Sequence, residues 1–175
     1  MQVVFDVLEK LNQEGTLREY AIGGATAAGI HGEPLATRDI DVFVFIEPPA
    51  SSLLITLEPL FSRLVALGFS TFDEEGLLIG DYPVQFLAAS PGLEMEALAD
   101  AMVMEWDDHR LRVIRPEHLA AMAMTVGRPK DRARVVYLVE LPQFDRELFS
   151  EILQRHQLVS RWNEWSSALG LKTDV

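Results

Sequence analysis

The apolar positions Val3, Val4, Phe5, Val7, Leu8 and Leu11 repeat at helical spacing, and Gly15 stops the helix they predict. Leu17 to Ile22 then reads as a buried strand. The Gly23-Gly24 pair lets that strand turn sharply and lets its backbone approach a bulky neighbour such as a phosphate. No breaker follows before Gly29, so a short helix over Ala25 to Ile30 is expected directly after the glycines. Its free N–H groups and the positive end of its dipole would face an incoming anion. Asp39 to Ile46 forms the next strand, too apolar for an exposed edge.

Farther on, Ser51 or Ser52 is a plausible cap for a helix reaching about Leu67, which Pro59 kinks or divides and Gly68 ends. Short strands around Phe69 to Phe72 and Leu77 to Ile79 share the turn Asp73 to Gly76, and Asp81 to Leu87 is a third sheet strand. Leu93 to Ala101 reads as a short helix. Ala101 to Trp106 and Leu111 to Ile114 read as a hairpin around a turn from Asp107 to Arg110. The remainder is helical. Pro116 opens a helix that ends at Gly127, Pro129 opens another, and Phe144 to Leu158 and Val159 to Leu169 supply two more. Trp162 and Trp165, three residues apart on the last helix, read as core packing in preference to a base-stacking platform. The pattern predicts an α/β (α+β) chain, with a sheet-bearing core over residues 1–115 and a helical part over 116–175 packed on it as one compact domain.

Candidate chemistry sits where the second strand begins. Side chains alternate faces, so Asp39 and Asp41 project to one side, roughly 7 Å apart along the strand. Two such carboxylates can hold a hard divalent cation, and magnesium takes its other ligands from water and substrate phosphates. The plainer alternative is a pair of surface acids at a strand end beside an ordinary glycine turn. Arg38 and Thr37, next to them, are placed to touch phosphate or base, although an arginine there equally serves as the aspartates' ion-pair partner. A second informative stretch is Gly127 to Arg134, where Arg128, Lys130 and Asp131 cluster at a helix N-terminus, an end that favours anions. The alternative there is an interhelix turn with Asp131 as a first-turn acid.

The segment Tyr20 to Glu47, with its diglycine followed by Thr37-Arg38-Asp39-Ile40-Asp41, resembles the signature of the nucleotidyltransferase superfamily typified by DNA polymerase beta. The wording is similar to small bacterial members, including toxin components of toxin–antitoxin and abortive-infection systems. Gly127-Arg128-Pro129-Lys130-Asp131-Arg132 is a second match. The resemblance implies a nucleotidyltransferase-like fold, a short mixed β-sheet flanked by helices. It further implies Mg²⁺ (or Mn²⁺) on the catalytic Asp39 and Asp41. A nucleoside triphosphate would be held by Gly23, Gly24, Thr26, Arg38, Arg128, Lys130 and Asp131, and the acceptor would be a hydroxyl on RNA, protein or a small molecule. An antitoxin-like protein partner or a homo-oligomer fits the same class. The chain departs from the family pattern at three places: Gln85 where relatives carry a third acid, Ala123 where several carry a lysine, and Arg134 where many carry an acid. Gln85 and Ala123 favour the rival reading of a catalytically degenerate nucleotide-binding or protein-interaction member.

Composition narrows this further. The 175 residues carry a net charge of −12, which argues against nucleic-acid binding over the whole surface. Positive charge is concentrated, however. Seven of the 15 Lys and Arg residues fall between Arg110 and Arg134, either to meet a polyanion or to pair with the acids. No cysteine is present, which excludes thiol catalysis, disulfides and cysteine zinc sites. His31, His118 and His156 lack ligand spacing to one another and read as structural, while His109, in a turn beside two acids, reads as a turn residue in preference to a metal ligand. No apolar run approaches the ~20 residues of a membrane span, and the N-terminus lacks a basic leader, so a cytoplasmic location away from membranes is the expectation.

Overall fold

The computed structural model describes residues 1–32, 37–46 and 56–171. The predicted cap at Ser51 or Ser52, part of the loop after His31, and the residues after Leu171 lie outside them. Helix α1 (Gln2–Gln13) buries Val4, Phe5, Val7, Leu8 and Leu11, the stripe its spacing requires. It leads into β1 (Tyr20–Ile22), α2 (Gly24–His31) and β2 (Ile40–Val44). After α3 (Glu58–Ala66) come β3 (Leu77–Ile79), β4 (Tyr82–Ala88), α4 (Leu93–Ala99), β5 (Met102–Trp106) and β6 (His109–Val113). The helices α5 (Pro116–Val126), α6 (Pro129–Val139), α7 (Arg146–Arg155) and α8 (Val159–Leu169) complete the chain.

Among the described residues six strands form one mixed sheet in the order β3-β4-β2-β1-β6-β5. At its centre, β1 runs antiparallel to β2 and parallel to β6, while β2 runs parallel to β4 with Asp41 opposite Gln85. Ile40, Val42 and Val44 point to the buried face of β2. By alternation Asp41 and Phe43 share the other face. Helix α5 packs against α2, α4, α6 and α7, so its small and apolar residues from Leu119 to Ala121 are all but fully buried. Trp162 is buried edge-on against Phe149, with ring centroids 5.2 Å apart, which ties α8 to α7.

Several boundaries differ from expectation for local reasons. The first strand is only three residues long, because Leu17 returns its N–H to Leu11 and closes the turn after α1. Pro59 neither kinks nor divides the described part of α3. It occupies the first turn, where its missing N–H costs no helical bond. Phe69 to Phe72 contributes a single bridge, Phe72 to Leu77, because Phe72 is largely exposed and Asp73 folds the chain back by accepting from the N–H groups of Glu75 and Gly76. The hairpin turn is tighter than expected. Asp107 takes a positive φ of 51°, the two-residue connection closes at Trp106–His109, and His109 becomes a strand residue packed on Phe5.

Candidate active site

The β1–α2 turn is shaped by side chains from β2. The Gly23 N–H donates to the Asp41 carbonyl at 2.8 Å, extending the β1–β2 ladder by one bond. A Cβ on Gly23 would lie 2.6 Å from the Phe43 ring. Gly24 has φ +59°, and a Cβ there would run into the Asp41 carboxylate. The diglycine therefore makes room for Phe43 and Asp41, and Asp41 places its carboxylate against the start of α2, where the helix dipole favours negative charge. Thr26 is buried, and its hydroxyl donates to the Asp39 carbonyl at 3.3 Å, fixing the approach to β2.

The two carboxylates differ. Asp39 is half-buried like Asp41, and each of its oxygens carries a protein donor: the Thr37 hydroxyl to Oδ1 at 3.0 Å and the Gln85 amide to Oδ2 at 2.8 Å. Asp41 is half-buried, and no donor among the described residues reaches its carboxylate. Burial pushes its pKa up, the Asp39 charge adds to the shift, and Arg134, Lys130 and Arg128 oppose it.

Both aspartates open onto a cleft of about 810 Å³. Arg128, Lys130 and Arg134 contribute to its walls from the start of α6, joined by Arg38 and Tyr137. Lys130, Ala133, Arg134 and Tyr137 follow the i, i+3, i+4, i+7 spacing of one helix face, so α6 presents a cationic stripe to the acids. Asp131 turns away from this face. It is 1% exposed and accepts from the Arg128 N–H and guanidinium at 3.0 and 2.8 Å. Burial alone would raise its pKa, but the Arg128 hydrogen bonds outweigh it and hold the carboxyl below the ordinary value. Asp131 thus caps α6 and orients Arg128. Arg38 lies 3.6 Å from Glu75, across the mouth of the cleft. A second cleft of about 450 Å³ adjoins the first at Asp41, Gln85, Arg128 and Arg134. Its walls include Phe43, Leu87, Leu119, Met122 and Ala123.

Of the residues singled out in the sequence, Asp39, Asp41, Arg38, Arg128 and Lys130 share the larger cleft, while Gly24 and Asp131 line the smaller one. Gly23 and Thr26 line neither and shape the turn from beneath. Gln85, Arg134 and Tyr137 complete the larger cleft. Arg134 and Tyr137 keep the helical spacing from Lys130, and Gln85, marked in the sequence as a departure from the family pattern, is set opposite Asp41 by the parallel register.

A separate acidic cluster joins α4, α5 and α7. Glu96 accepts from Arg155 at 2.7 Å, with His156 Nε2 at 2.7 Å and the buried His118 Nε2 at 3.2 Å. Ligand atoms of Glu96, Asp100 and His118 lie within 4.8 Å of one another, close enough for a metal ion. Arg155 already pairs with Glu96 and His156 hydrogen-bonds to it, however, so this carboxylate finds its partners within the protein.

The carboxylate pair suits a hard divalent cation: the Asp41 carboxylate, with no donor among the described residues, is pressed against Gly24, with a second acid beside it and open cleft in front. No protein-family model matches the chain, and no curated protein matches it in sequence. Solved structures do. An antigenic nucleotidyltransferase-like protein from Paracoccidioides brasiliensis superimposes with a TM-score of 0.57 at 17% identity, over 98% of this chain and 92% of that one. The antibiotic-resistance factor ANT(2'')-Ia in solution gives 0.52 at 17% identity, covering 97% of each chain. The crystal structure of ANT(2")-Ia in complex with adenylyl-2"-tobramycin gives 0.52 at 19% identity, over 92% of this chain and 98% of that one. A six-stranded mixed sheet with its helices, matched over nearly the full length of these proteins, identifies the fold of this chain as that of the nucleotidyltransferases.

Proposed function

We propose that the protein is a metal-dependent nucleotidyltransferase that moves a nucleoside monophosphate from a nucleoside triphosphate to an acceptor hydroxyl on RNA, protein or a small molecule. The observation that carries this reading is the pairing, across one cleft, of Asp39 and Asp41 on β2 with the cations Arg128, Lys130 and Arg134 on α6. Carboxylates alone would repel a triphosphate, and cations alone would bind any anion. Together they suit a phosphate chain that arrives with its own divalent metal. Asp39 and Asp41 would hold Mg²⁺ or Mn²⁺, which supplies Lewis-acid stabilisation of the phosphoryl oxygens. Arg128, Lys130 and Arg134 neutralise charge that grows on the leaving pyrophosphate. The acceptor oxygen forms a bond to the α-phosphorus, the bond to the β-phosphate bridging oxygen breaks, and the hydroxyl proton passes to solvent. Asp131 does not take that proton, because its carboxylate is buried against Arg128.

The rival reading, nucleotide binding without transfer, draws support from Gln85, whose amide cannot accept a proton as a carboxylate would. One experiment separates them. The protein is incubated with α-labelled nucleoside triphosphates, Mg²⁺ or Mn²⁺ and a pool of RNAs, proteins and small polyols. Label transfer with pyrophosphate release, abolished by EDTA, supports the enzyme. Stabilisation by nucleotide and metal without pyrophosphate release supports the rival.

A further inference from the structure

We infer that the carboxylate pair holds a single divalent cation, and that Gln85 is the residue that sets this number. The inference rests on the proposed reading of the cleft and adds a constraint which that reading leaves open. Strand β4 runs parallel to β2 with Gln85 directly opposite Asp41, so its side chain emerges on the same face of the sheet as Asp41. It lines both clefts where they meet. A carboxamide beside a carboxylate must present its NH₂, and here Nε2 donates to Asp39 Oδ2 at 2.8 Å. With Thr37 donating to Oδ1, each Asp39 oxygen has one of its two lone-pair directions taken by the protein.

Charge and ligand number then limit the site. Two cations about 3.5–4 Å apart need bridging oxygens and enough negative charge to offset their repulsion. This face supplies two carboxylates, one of them bonded to protein at both oxygens, and the third position carries a neutral amide. Arg128, Lys130 and Arg134 oppose the acid charge from the facing wall. One cation, sharing its remaining positions with water and nucleotide phosphate, satisfies the pair, and a second finds too few anionic ligands. Gln85 therefore acts as a positioning residue: it orients Asp39 and occupies the place from which a further ligand would come.

The test counts manganese and needs no turnover. The full-length protein is saturated with the α,β-methylene analogues of ATP and GTP in turn and titrated with Mn²⁺, while electron paramagnetic resonance follows free and bound ion. The wild type is expected to take one Mn²⁺ per protein–nucleotide complex, with no spin-coupled signal. Gln85→Asp should take two and develop the spectrum of a coupled pair. Gln85→Ala should keep a stoichiometry of one and bind it about tenfold or more weakly, as loss of an orienting outer partner does. A coupled pair in the wild type, or a single ion in Gln85→Asp, overturns the inference and leaves the proposed function standing. Absence of bound Mn²⁺ in all three proteins, each shown folded by circular dichroism, overturns both.

Discussion

At the cleft, Asp41 lies half-buried beside Asp39 with no donor among the described residues at its carboxylate, and its pKa is pushed up. At the junction of α4, α5 and α7, Glu96 is ringed by Arg155, His156 and His118. Chiefly the Arg155 hydrogen bonds draw its pKa down to about 2. Both places gather acids and lie beside basic side chains, yet they respond to folding in opposite senses. Around Glu96 the chain supplies its own counter-charge, so the cluster holds three helices together. Around Asp41 the nearest cations stand across an open cleft, so the charge awaits something that enters. Unneutralised carboxylate, more than acidity, distinguishes a candidate site from a structural one.

The sharpest way to break this contrast is to remove each acid and measure both activity and stability. Asp41→Ala should abolish label transfer, by at least about 100-fold, since even outer partners of a metal cost 10–100-fold. It should leave the thermal midpoint unchanged or raised, because an unpaired half-buried charge is lost. Gly24→Ala comes next. Its positive φ and the Asp41 carboxylate leave no place for a methyl group, so destabilisation of about 1–3 kcal/mol is expected together with weakened nucleotide and metal binding. Unfolding in urea and a nucleotide thermal shift check the two effects. Glu96→Ala should do the reverse of Asp41→Ala: label transfer within about twofold of wild type, and stability lower by about 1–2 kcal/mol, the worth of charged hydrogen bonds partly screened by solvent. For a chain of this size that is a fall of about 2–8 °C in the thermal midpoint. If Glu96→Ala silenced transfer while Asp41→Ala did not, the two clusters would have to exchange roles.

The sequence made one of these clusters visible and hid the other for a physical reason. Asp39 and Asp41 are two residues apart on one strand, so alternation alone puts them together, and the diglycine sits nearby in sequence. Arg128 and Lys130 were legible as a helix start from Pro129. The Glu96 network draws on residues up to 60 positions apart, and no local period brings His118 and His156 to one carboxylate. Gln85 was legible as a departure from the family pattern, but its bond to Asp39 depends on the β2–β4 register, which a single sequence does not fix. The diglycine was read as a place for phosphate, whereas its bare backbone first accommodates Asp41 and Phe43. In the fold, long periodic helices such as α1 were readable, and Phe69 to Phe72 was not, because strand propensity there is overridden by the Asp73 turn and by exposure.

The smallest expected effect is also the most discriminating, because the two acids should depend on pH with opposite signs. Glu96 has a folded pKa of about 2 against an ordinary 4.5. Its stabilisation is therefore fully present above about pH 4.5 and is lost as pH falls towards 2. Asp41 has a folded pKa above its ordinary 3.8, so its ionised form costs stability at neutral pH, and that cost disappears as pH falls through the raised value to below 3.8. Thermal midpoints of Glu96→Gln and Asp41→Asn, each subtracted from wild type between pH 7 and pH 2.5, should show the difference. The Glu96→Gln deficit should shrink below about pH 4.5 and persist in part at pH 2.5, still above the folded pKa of about 2. The Asp41→Asn gain, largest at pH 7, should shrink over a range that begins at higher pH. Saturating Mg²⁺ and nucleotide should erase the Asp41→Asn gain at pH 7 and leave the Glu96→Gln deficit untouched, since only the cleft carboxylate acquires its counter-charge from the ligand.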